Sequence, residues 1–586
     1  MTETIRIAGA SGFWGDTDAA TEQLLACPQL DYIVYDYLSE ITLALLARAR
    51  AKSPTGGYVP DFERAITPHL ATIKARGVRL LANAGGLNPV ACAKALEAAA
   101  VAAGVPLRVA AVTGDDVMDA LPVGAVDMFN SRPLPEKILS ANAYLGAAGM
   151  VAALAEGADI VITGRCADSA LTLAPLIHHF GWAFDDWDRL AQGSLAGHLI
   201  ECGSQGVGGL FTDWRQVCDG WSEMGFPIAV CAADGAFEIT KPQGAGGRIT
   251  PLSVTEQMLY EIGDPADYRL PDVVCDFRQV SLVETGPDKV RVRGARGSPA
   301  PADYKVSVTW QDGWRLTAIL MIGGREASAK ARHVGQAILE RTRRLGARQG
   351  LPPLVRTDLE TLGAEVSYGP HARTGDTREV VLKIAATAED PAILQLLSRE
   401  IFPSATAMAP GITGVAGGRP SPSPLIRGGA VLAPRAAAPV VVHMQGVSRP
   451  VPVMDAASFS MARTDSDDLA DPRPDVPGAP LDGTLIDLAA ARSGDKGDII
   501  NIGVAARSAE AYETLLHHLT ADQVGAYLNH LGADRVERFS LPGSRSLNFL
   551  LHGALRGGGM ANLRFDAQGK AVAQMLLDLP LHHLAR

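Results

Sequence analysis

The sequence is poor in the features that mark secreted, membrane-spanning or disulfide-bonded proteins. It has only seven cysteines in 586 residues, an odd count with no CxxC pair, which favours reduced thiols in a reducing compartment. No charged and then apolar leader precedes the first strand-like segment, so we expect no secretory signal. The most Ala-rich apolar stretch, 143–155, has 13 residues, whereas a bilayer span needs about 20. These absences predict a cytoplasmic protein without a membrane span.

Several common catalytic motifs are also missing. The sequence contains no H-E-x-x-H, no G-x-S-x-G and no G-x-x-x-x-G-K-[ST], which excludes the common zinc protease, serine hydrolase and NTPase classes. None of the eleven tyrosines has a lysine four residues later, so the usual proton-transfer pair of short-chain dehydrogenases is absent. The net charge of -11 argues against an extended basic face, and we therefore expect no nucleic-acid partner.

The first 274 residues alternate between short β-rich apolar runs and Ala/Leu-rich segments of helical length. Runs that are apolar on both faces are typical of central parallel strands covered by helices. This pattern predicts an α/β fold with a doubly wound, mostly parallel sheet, a Rossmann-like core over 1–274, and ligands at the carboxyl ends of its strands. The predicted strands are 4–10, 32–37, 78–84, 108–113 and 159–163.

The pattern of apolar and polar residues changes near residue 275. Alternating apolar and polar residues predict antiparallel strands with a turn at 311–313, and we assign 275–455 to an α+β unit that completes the core. The segment 465–482, with four prolines and six acidic residues, is typical of a linker. After it, 483–586 form a small α+β domain, which begins with a predicted strand at 484–488.

A glycine-rich loop follows the first predicted strand. Gly12 and Gly15 lie where backbone N–H groups bind phosphate in nucleotide folds, and Asp36 closes the second strand like a ribose-binding acid. Asp16, directly after the last glycine, would repel a pyrophosphate. The loop is therefore a site for NAD(P), or a tight turn capped by Asp16, or a substrate loop.

Polar residues also follow the third, fourth and fifth predicted strands. Gly85 and Gly86 permit close approach of the backbone to a ligand, and the neighbouring carboxamides of Asn83 and Asn88 can orient a carbonyl or hydroxyl group. Asp115 and Asp116 are either a general base, a divalent-metal ligand or a helix cap. Arg165 beside Asp168 is either an anion clamp with its own counter-charge or a structural ion pair.

Further candidates come from three later segments. Glu201 can act as a general acid or base, with Gln205 as an orienting donor, and its charge disfavours a thiolate at Cys202. Lys241 and Arg248 lie in a glycine-rich loop that can meet an anionic tail. The charged segment 491–501 is either a solvated hairpin turn or a contact to the main site or to a neighbouring subunit.

The chain resembles the acyclic terpene utilisation proteins of the AtuA type. The similar blocks are GYVPDF, NAGGLNP, GADIVITGRCADSALTLAP with a following FGW, HLIECGSQ, TEQMLYEIGDP, GGRP and ARSGDKGDIINIGV. They span nearly the whole chain. The resemblance implies a ferredoxin-like fold for the last domain and a role in the breakdown of branched isoprenoids as coenzyme A thioesters. It transfers no catalytic residue.

We therefore expect an enzyme that hydrates an enoyl-CoA or cleaves a 3-hydroxyacyl-CoA by a retro-aldol reaction. Asp116 or Glu201 is the expected base, Arg165 and Lys241 the expected anion ligands, and a divalent metal remains an open alternative. The other hypotheses are an NAD(P)-dependent oxidoreductase and a non-catalytic partner of the pathway's acyl-CoA enzymes. The appended domain favours a homo-oligomer.

Overall fold

Strands and helices alternate along the first half of the chain. A computed structural model describes residues 3–122, 124–452 and 482–584. The strands up to residue 452 are β1 (Thr4–Gly9), β2 (Tyr32–Tyr35), β3 (Arg79–Ala82), β4 (Val109–Thr113), β5 (Ser140–Ala143), β6 (Ile160–Thr163), β7 (Ile228–Ala232), β8 (Phe237–Thr240), β9 (Tyr268–Arg269), β10 (Val274–Asp276), β11 (Ser281–Gly286), β12 (Lys289–Arg293), β13 (Arg296–Ser298), β14 (Asp303–Gly323), β15 (Arg356–Leu362), β16 (Glu379–Ala388), β17 (Ile412–Val415), β18 (Ser423–Pro434), β19 (Val441–Met444) and β20 (Val447–Pro450).

Helices cover these strands. They are α1 (Ala19–Leu25), α2 (Glu40–Lys52), α3 (Pro60–Ile66), α4 (Leu70–Arg76), α5 (Pro89–Ala102), α6 (Ala148–Ala155), α7 (Ala170–Phe180), α8 (Trp187–Ile200), α9 (Pro251–Leu259), α10 (Ala327–Arg348), α11 (Pro391–Ile401) and α12 (Ser404–Ala407). No helix in the described ranges is both long and apolar enough to cross a bilayer.

The largest sheet has a parallel centre. Its order is β11-β12-β8-β7-β1-β2-β3-β6-β4-β19-β20, and the pairs from β1 to β4 are parallel. The central strands are almost fully buried, as apolar residues on both faces predict. The α/β class is confirmed, and antiparallel strands extend the sheet on both sides. Because parallel strands end at one edge, the loops after β2, β3, β6 and β4 lie side by side.

The second large sheet shares strands with the first half of the chain. Its order is β15-β16-β14-β17, and β5 and β18 also pair with β14. The predicted turn at 311–313 is wrong. β14 runs through it as one strand, because β18 pairs antiparallel with β14 on both sides of a bulge between Gln311 and Trp314.

The last domain carries a four-stranded antiparallel sheet of order β21-β22-β24-β23. Its elements are β21 (Ala489–Lys496), β22 (Ile499–Ala506), α13 (Ala509–His518), α14 (Ala521–Tyr527), β23 (Arg535–Leu541), β24 (Ser546–His552) and α15 (Val572–Leu576). The predicted strand at 484–488 is wrong, since a 3-10 turn over Leu485–Asp487 precedes β21. The predicted linker 465–482 lies, except for Asp482, outside the described residues.

Candidate functional site

The loops after β2 and β3 are joined by a buried hydrogen bond. The amide nitrogen Nδ2 of Asn83 donates to Oδ1 of Asp36 at 2.5 Å, and Oδ1 of Asn83 accepts from the backbone N–H of Tyr37 at 2.8 Å. Burial and the charge of Asp168 raise the pKa of Asp36 well above its ordinary value, although Arg165 acts in the opposite direction. Burial therefore favours the protonated form of Asp36, which makes it a candidate acid.

Arg165 links the loop after β6 to those around it. Its Nη1 donates to Oδ1 of Asp168 at 2.6 Å and to the backbone oxygen of Leu38 at 3.0 Å, and its guanidinium lies 4.1 Å from the centre of the Tyr144 ring. The Tyr144 hydroxyl donates to Glu40 at 2.9 Å. These contacts hold the guanidinium in one orientation, with its charge facing the carboxyl edge of the sheet.

Asp115 positions the backbone of Arg165. One carboxylate oxygen of Asp115 accepts from the Arg165 N–H and from Nδ2 of Asn142, both at 2.8 Å. Burial raises the pKa of Asp115 to about 6, although both hydrogen bonds oppose this rise. Asp115 thus positions the backbone of the Arg165 loop, and its two hydrogen bonds explain why its side chain points inward.

Asp168 and Glu201 are the carboxyl groups of the cluster that keep contact with solvent. Their side chains are 31% and 14% exposed, whereas that of Arg165 is 5% exposed. Burial raises the pKa of Asp168 to about 6, Arg165 lowers it, and the negative charge of Glu201 raises it again. The two carboxyls are thus close enough to influence each other, and both are partly exposed.

The Glu201 carboxylate lies within hydrogen-bond distance of a buried histidine, His198. Nδ1 of His198 lies 3.0 Å from Oε1 of Glu201, and Nε2 of His198 lies 3.0 Å from the backbone oxygen of Met258. The carbonyl can only accept, so Nε2 carries a proton and Nδ1 faces the carboxylate. Burial lowers the pKa of His198, but the charge of Glu201 and the hydrogen bonds outweigh it and raise it. The buried ring of His198 therefore orients the Glu201 side chain.

The glycine loop after β1 is filled by the chain itself. The Gly12 N–H donates to the Asp16 carboxylate at 3.1 Å, and a Cβ on Gly12 would lie 2.7 Å from the carbonyl of Cys202. No helix begins at Gly15, because α1 starts at Ala19. The loop serves close packing of β1 against the end of α8, which leaves little room for a pyrophosphate.

Several predicted residues lie outside this cluster. Asp116 is half exposed and forms an ion pair with Arg50 at 3.2 Å. Asn88 caps α5 and donates to the backbone oxygens of Pro54 and Gly56, so its amide is already occupied. The remaining placements are Gly85 packed against Thr163 and Pro89, Gly86 at φ +52°, Lys241 paired with Asp288 at 3.1 Å, Arg248 exposed, and Gln205 accepting from Arg492.

Two lysines lie near the cluster. Lys305 was missed by sequence reasoning, whereas Lys496 lies in the segment 491–501, for which a contact to the main site was one of the alternatives. The Lys305 nitrogen lies 4.8 Å from the Tyr144 ring centre, and Lys496 of the last domain donates to the backbone oxygen of Glu261 at 2.7 Å. The solvated-turn interpretation of 491–501 is wrong, since Arg492 is buried and donates to Gln205 of the core, and Ser493 is buried within the last domain. In the sequence, the high density of charged residues in 491–501 is the only feature that indicates this contact with the core. The described residues contain no group of three His, Cys, Asp or Glu arranged to hold a metal ion.

Comparisons with known proteins place the chain in a family. The family model for the acyclic terpene utilisation family protein AtuA matches residues 5–444, and the AtuA ferredoxin-like domain matches residues 483–582. The ferredoxin-like class predicted for the last domain is thereby confirmed. No curated protein matches the sequence. A homoserine dehydrogenase from Thiobacillus denitrificans is 11% identical over 68% of this chain and 83% of its own, with a TM-score of 0.13, which supports no inference.

Proposed function

Because the chain belongs to the acyclic terpene utilisation family AtuA, we propose that it is an enzyme of branched isoprenoid breakdown that acts on an acyl-CoA thioester. The cluster at the carboxyl edge of the sheet is its proposed active site. The observation that carries this proposal is a pair of partly exposed carboxyl groups. Glu201 lies within hydrogen-bond distance of His198, and Asp168 accepts a hydrogen bond from Arg165. Two carboxyls held in different environments are what acid–base chemistry needs.

Glu201 is the proposed general base. In hydration, its carboxylate takes a proton from water while the water oxygen bonds to Cβ of the enoyl thioester, and the double-bond electrons move to the thioester oxygen. In retro-aldol cleavage, it takes the proton of the 3-hydroxyl group, and the Cα–Cβ bond breaks to leave a ketone and a thioester enolate. Both reactions form an enolate, so one site can serve either of them.

The cations of the site face the developing negative charge. Arg165 is fixed by Asp168 and by the backbone oxygen of Leu38, so it needs no reorganisation during the reaction. Lys305 adds a second positive charge next to the Tyr144 ring. Fixed donors in a site with little water stabilise an enolate far better than they would in bulk solvent.

A panel of acyl-CoA thioesters tests this proposal. Branched 2-enoyl and 3-hydroxyacyl thioesters are incubated with the protein, and binding and products are measured by mass spectrometry. We expect turnover that falls by about 10²–10⁴-fold in Glu201→Gln, because the base is lost while the volume is kept. The matched control is Glu284→Gln, at an exposed position of β11, which should leave turnover unchanged.

Two outcomes would overturn the proposal. Failure of the wild-type protein to bind any of the thioesters would remove the acyl-CoA substrate class. Turnover that is unchanged in Glu201→Gln would remove the acid–base site and favour a non-catalytic role for the cluster. A parallel titration with NADH and NADPH, followed by nicotinamide fluorescence, should show no binding, because Cys202 occupies the space above Gly12.

A further inference from the structure

The ferredoxin-like domain is seated directly on the end of α9. The hydroxyl of Thr212 donates to the backbone oxygen of Ala491 and accepts from its N–H, both at 3.1 Å. A Cβ on Gly503 would lie 2.3 Å from that of Leu259. Glycine is therefore required for this close approach, which fixes the register of β22 against the core.

This docking brings the β21–β22 hairpin to the active site. Lys496, at the end of β21, lies over the Tyr268 ring, with its nitrogen 5.0 Å from the ring centre. The Tyr268 ring lies 6.0 Å from the ring of His198, which holds Glu201. Lys496 therefore reaches the Glu201 side of the cluster from another domain.

The same hairpin meets Lys305 through an aromatic ring. A Cβ on Gly497 would lie 3.2 Å from the ring of Phe129, and the Lys305 nitrogen lies 5.7 Å from the centre of that ring. Within the described ranges, no carboxylate oxygen lies within 4.0 Å of the Lys305 or Lys496 nitrogen. Lys305 and the hairpin that carries Lys496 therefore both lie beside the Phe129 ring.

Lys570, a neighbouring lysine at this interface, forms ion pairs and serves as a structural comparison for Lys496. Lys570 lies 3.1 Å from Glu261 and 3.2 Å from Asp495, and these charges, together with Tyr260, raise its pKa despite burial. Lys496 donates to a backbone oxygen, which carries no charge. Lys570 is therefore a fixed cation, whereas Lys496 can lose its proton.

The surroundings of Lys496 favour that loss. Burial and the positive charge of Lys305 lower the pKa of Lys496 to about 8, while the carboxylates of Glu261, Glu201 and Asp168 act in the opposite direction. Burial also lowers the pKa of Lys305. An amine that titrates near neutral pH can both donate and accept a proton under working conditions.

We propose that Lys496 is the group that exchanges the proton at Cα of the substrate, on the Glu201 side of the cluster, so that the ferredoxin-like domain completes the active site. This inference rests on the proposed acyl-CoA function. In either reaction the Lys496 ammonium gives a proton to Cα: the enolate electron pair forms the C–H bond, the N–H bond breaks, and the neutral amine remains. In reverse, the amine takes the Cα proton and the C–H electrons return to the thioester oxygen.

The first test needs no substrate. Trace acetylation of the full-length protein with acetic anhydride between pH 6 and 11, read by peptide mass spectrometry, gives the titration midpoint of each lysine. We expect a midpoint near pH 8 for Lys496, against about 10.4 for an ordinary exposed lysine. Lys305→Met should raise the midpoint of Lys496. A midpoint for Lys496 at about 10.4, the value of an ordinary exposed lysine, would overturn the inference.

The second test follows the proton itself. The protein is incubated in deuterium oxide with 3-methylbutanoyl-CoA, which has a Cα proton but no 3-hydroxyl group to cleave. We expect deuterium uptake that falls about 10²-fold or more in Lys496→Arg, because the guanidinium keeps the charge but does not deprotonate. Lys289→Arg is the matched control, and thermal unfolding confirms that both variants fold.

The two tests separate the inference from the proposed function. Equal exchange by the wild type and Lys496→Arg would overturn the role of Lys496 and leave acyl-CoA chemistry standing. Absence of binding of any thioester by the wild type would overturn the proposed function, and the acetylation midpoint does not depend on it. Recovery of exchange in Lys496→Ala on addition of methylamine would support proton transfer, since a purely structural lysine is not replaced by a free amine.

Discussion

Oε1 of Glu201 lies 3.0 Å from Nδ1 of His198, three residues earlier at the end of α8. The imidazole is buried, and its other nitrogen is bound to the backbone oxygen of Met258. The charge of Glu201 and the hydrogen bonds therefore favour the protonated ring and raise the pKa of His198. This coupling makes the pair a source of stability that depends on pH.

Replacing His198 should destabilise the protein more at pH 6 than at pH 9. The pKa of His198 is raised above its ordinary 6.5, so the stabilisation is complete below pH 6.5 and is lost as pH rises through the folded-state pKa. We expect His198→Gln to cost about 1–3 kcal/mol at pH 6 and less at pH 9, measured by denaturant unfolding.

His178 provides a control with the opposite sign. Burial and the charge of Arg79 lower its pKa, so its protonation costs stability as pH falls below 6.5. The free energy of unfolding of His178→Gln, relative to that of the wild type, should therefore be higher at pH 5 than at pH 8. Equal losses for His198→Gln at pH 6 and pH 9 would show that its ring is not charged in the folded protein.

Asp115→Asn should stabilise the protein at pH 8. The pKa of Asp115 is about 6 rather than the ordinary 3.8, which corresponds to a penalty of about 2–3 kcal/mol for its ionisation above pH 6. An asparagine keeps the acceptor for Arg165 and can donate to Oδ1 of Asn142, which has no hydrogen-bond partner among the described residues. Thermal unfolding should show the gain at pH 8 and none at pH 4, and a loss at pH 8 would contradict the account.

Turnover of a thioester should have a bell-shaped pH profile. Below about pH 6, protonation of Asp168 removes the charge that orients Arg165, and above about pH 8 the Lys496 ammonium that protonates Cα is lost. Measurement of kcat/KM against pH in the wild type and Asp168→Asn checks this. The variant should lose the acidic limb and keep the basic one, and an unchanged acidic limb would exclude Asp168 as its source.

The sequence predicts the parallel centre of the fold well. All five predicted strands of the first 170 residues occur within about two residues of their predicted ends, because continuous apolar runs with β-rich composition have few alternatives. The loop positions of Asn83, Arg165 and Asp168 follow from the same pattern, since parallel strands end at one edge. Topology and loop position therefore suffice to find part of the site.

The rest depends on tertiary contacts that have no local signature. Between the neighbours Asp115 and Asp116, the inward one is selected by hydrogen bonds to Asn142 and Arg165, which lie far away in sequence. Lys496 reaches the cluster only because another domain docks there. The turn predicted at 311–313 fails for the same reason, since pairing with β18 overrides a local turn preference.

The last prediction concerns the contact that seats the ferredoxin-like domain. Gly503→Val should push this domain away from the core, because a Cβ at this position would lie 2.3 Å from the Cβ of Leu259. The sheet of the domain should persist, since its strands pair with each other and not with the core. Small-angle scattering should then show a larger radius of gyration, and Lys496 should titrate closer to an exposed lysine as it leaves its buried position.

Gly263→Ala is the matched control, at the same interface. In the part of the chain that the structure describes, no atom lies within 4 Å of a Cβ built on Gly263, although its backbone oxygen accepts from Nδ2 of Asn548 in the ferredoxin-like domain at 2.7 Å. This variant should keep the wild-type radius of gyration, the Lys496 midpoint and the rate of Cα exchange. If Gly503→Val kept all three as well, the contact with Leu259 would not seat the domain, and the hairpin would reach the site by other contacts.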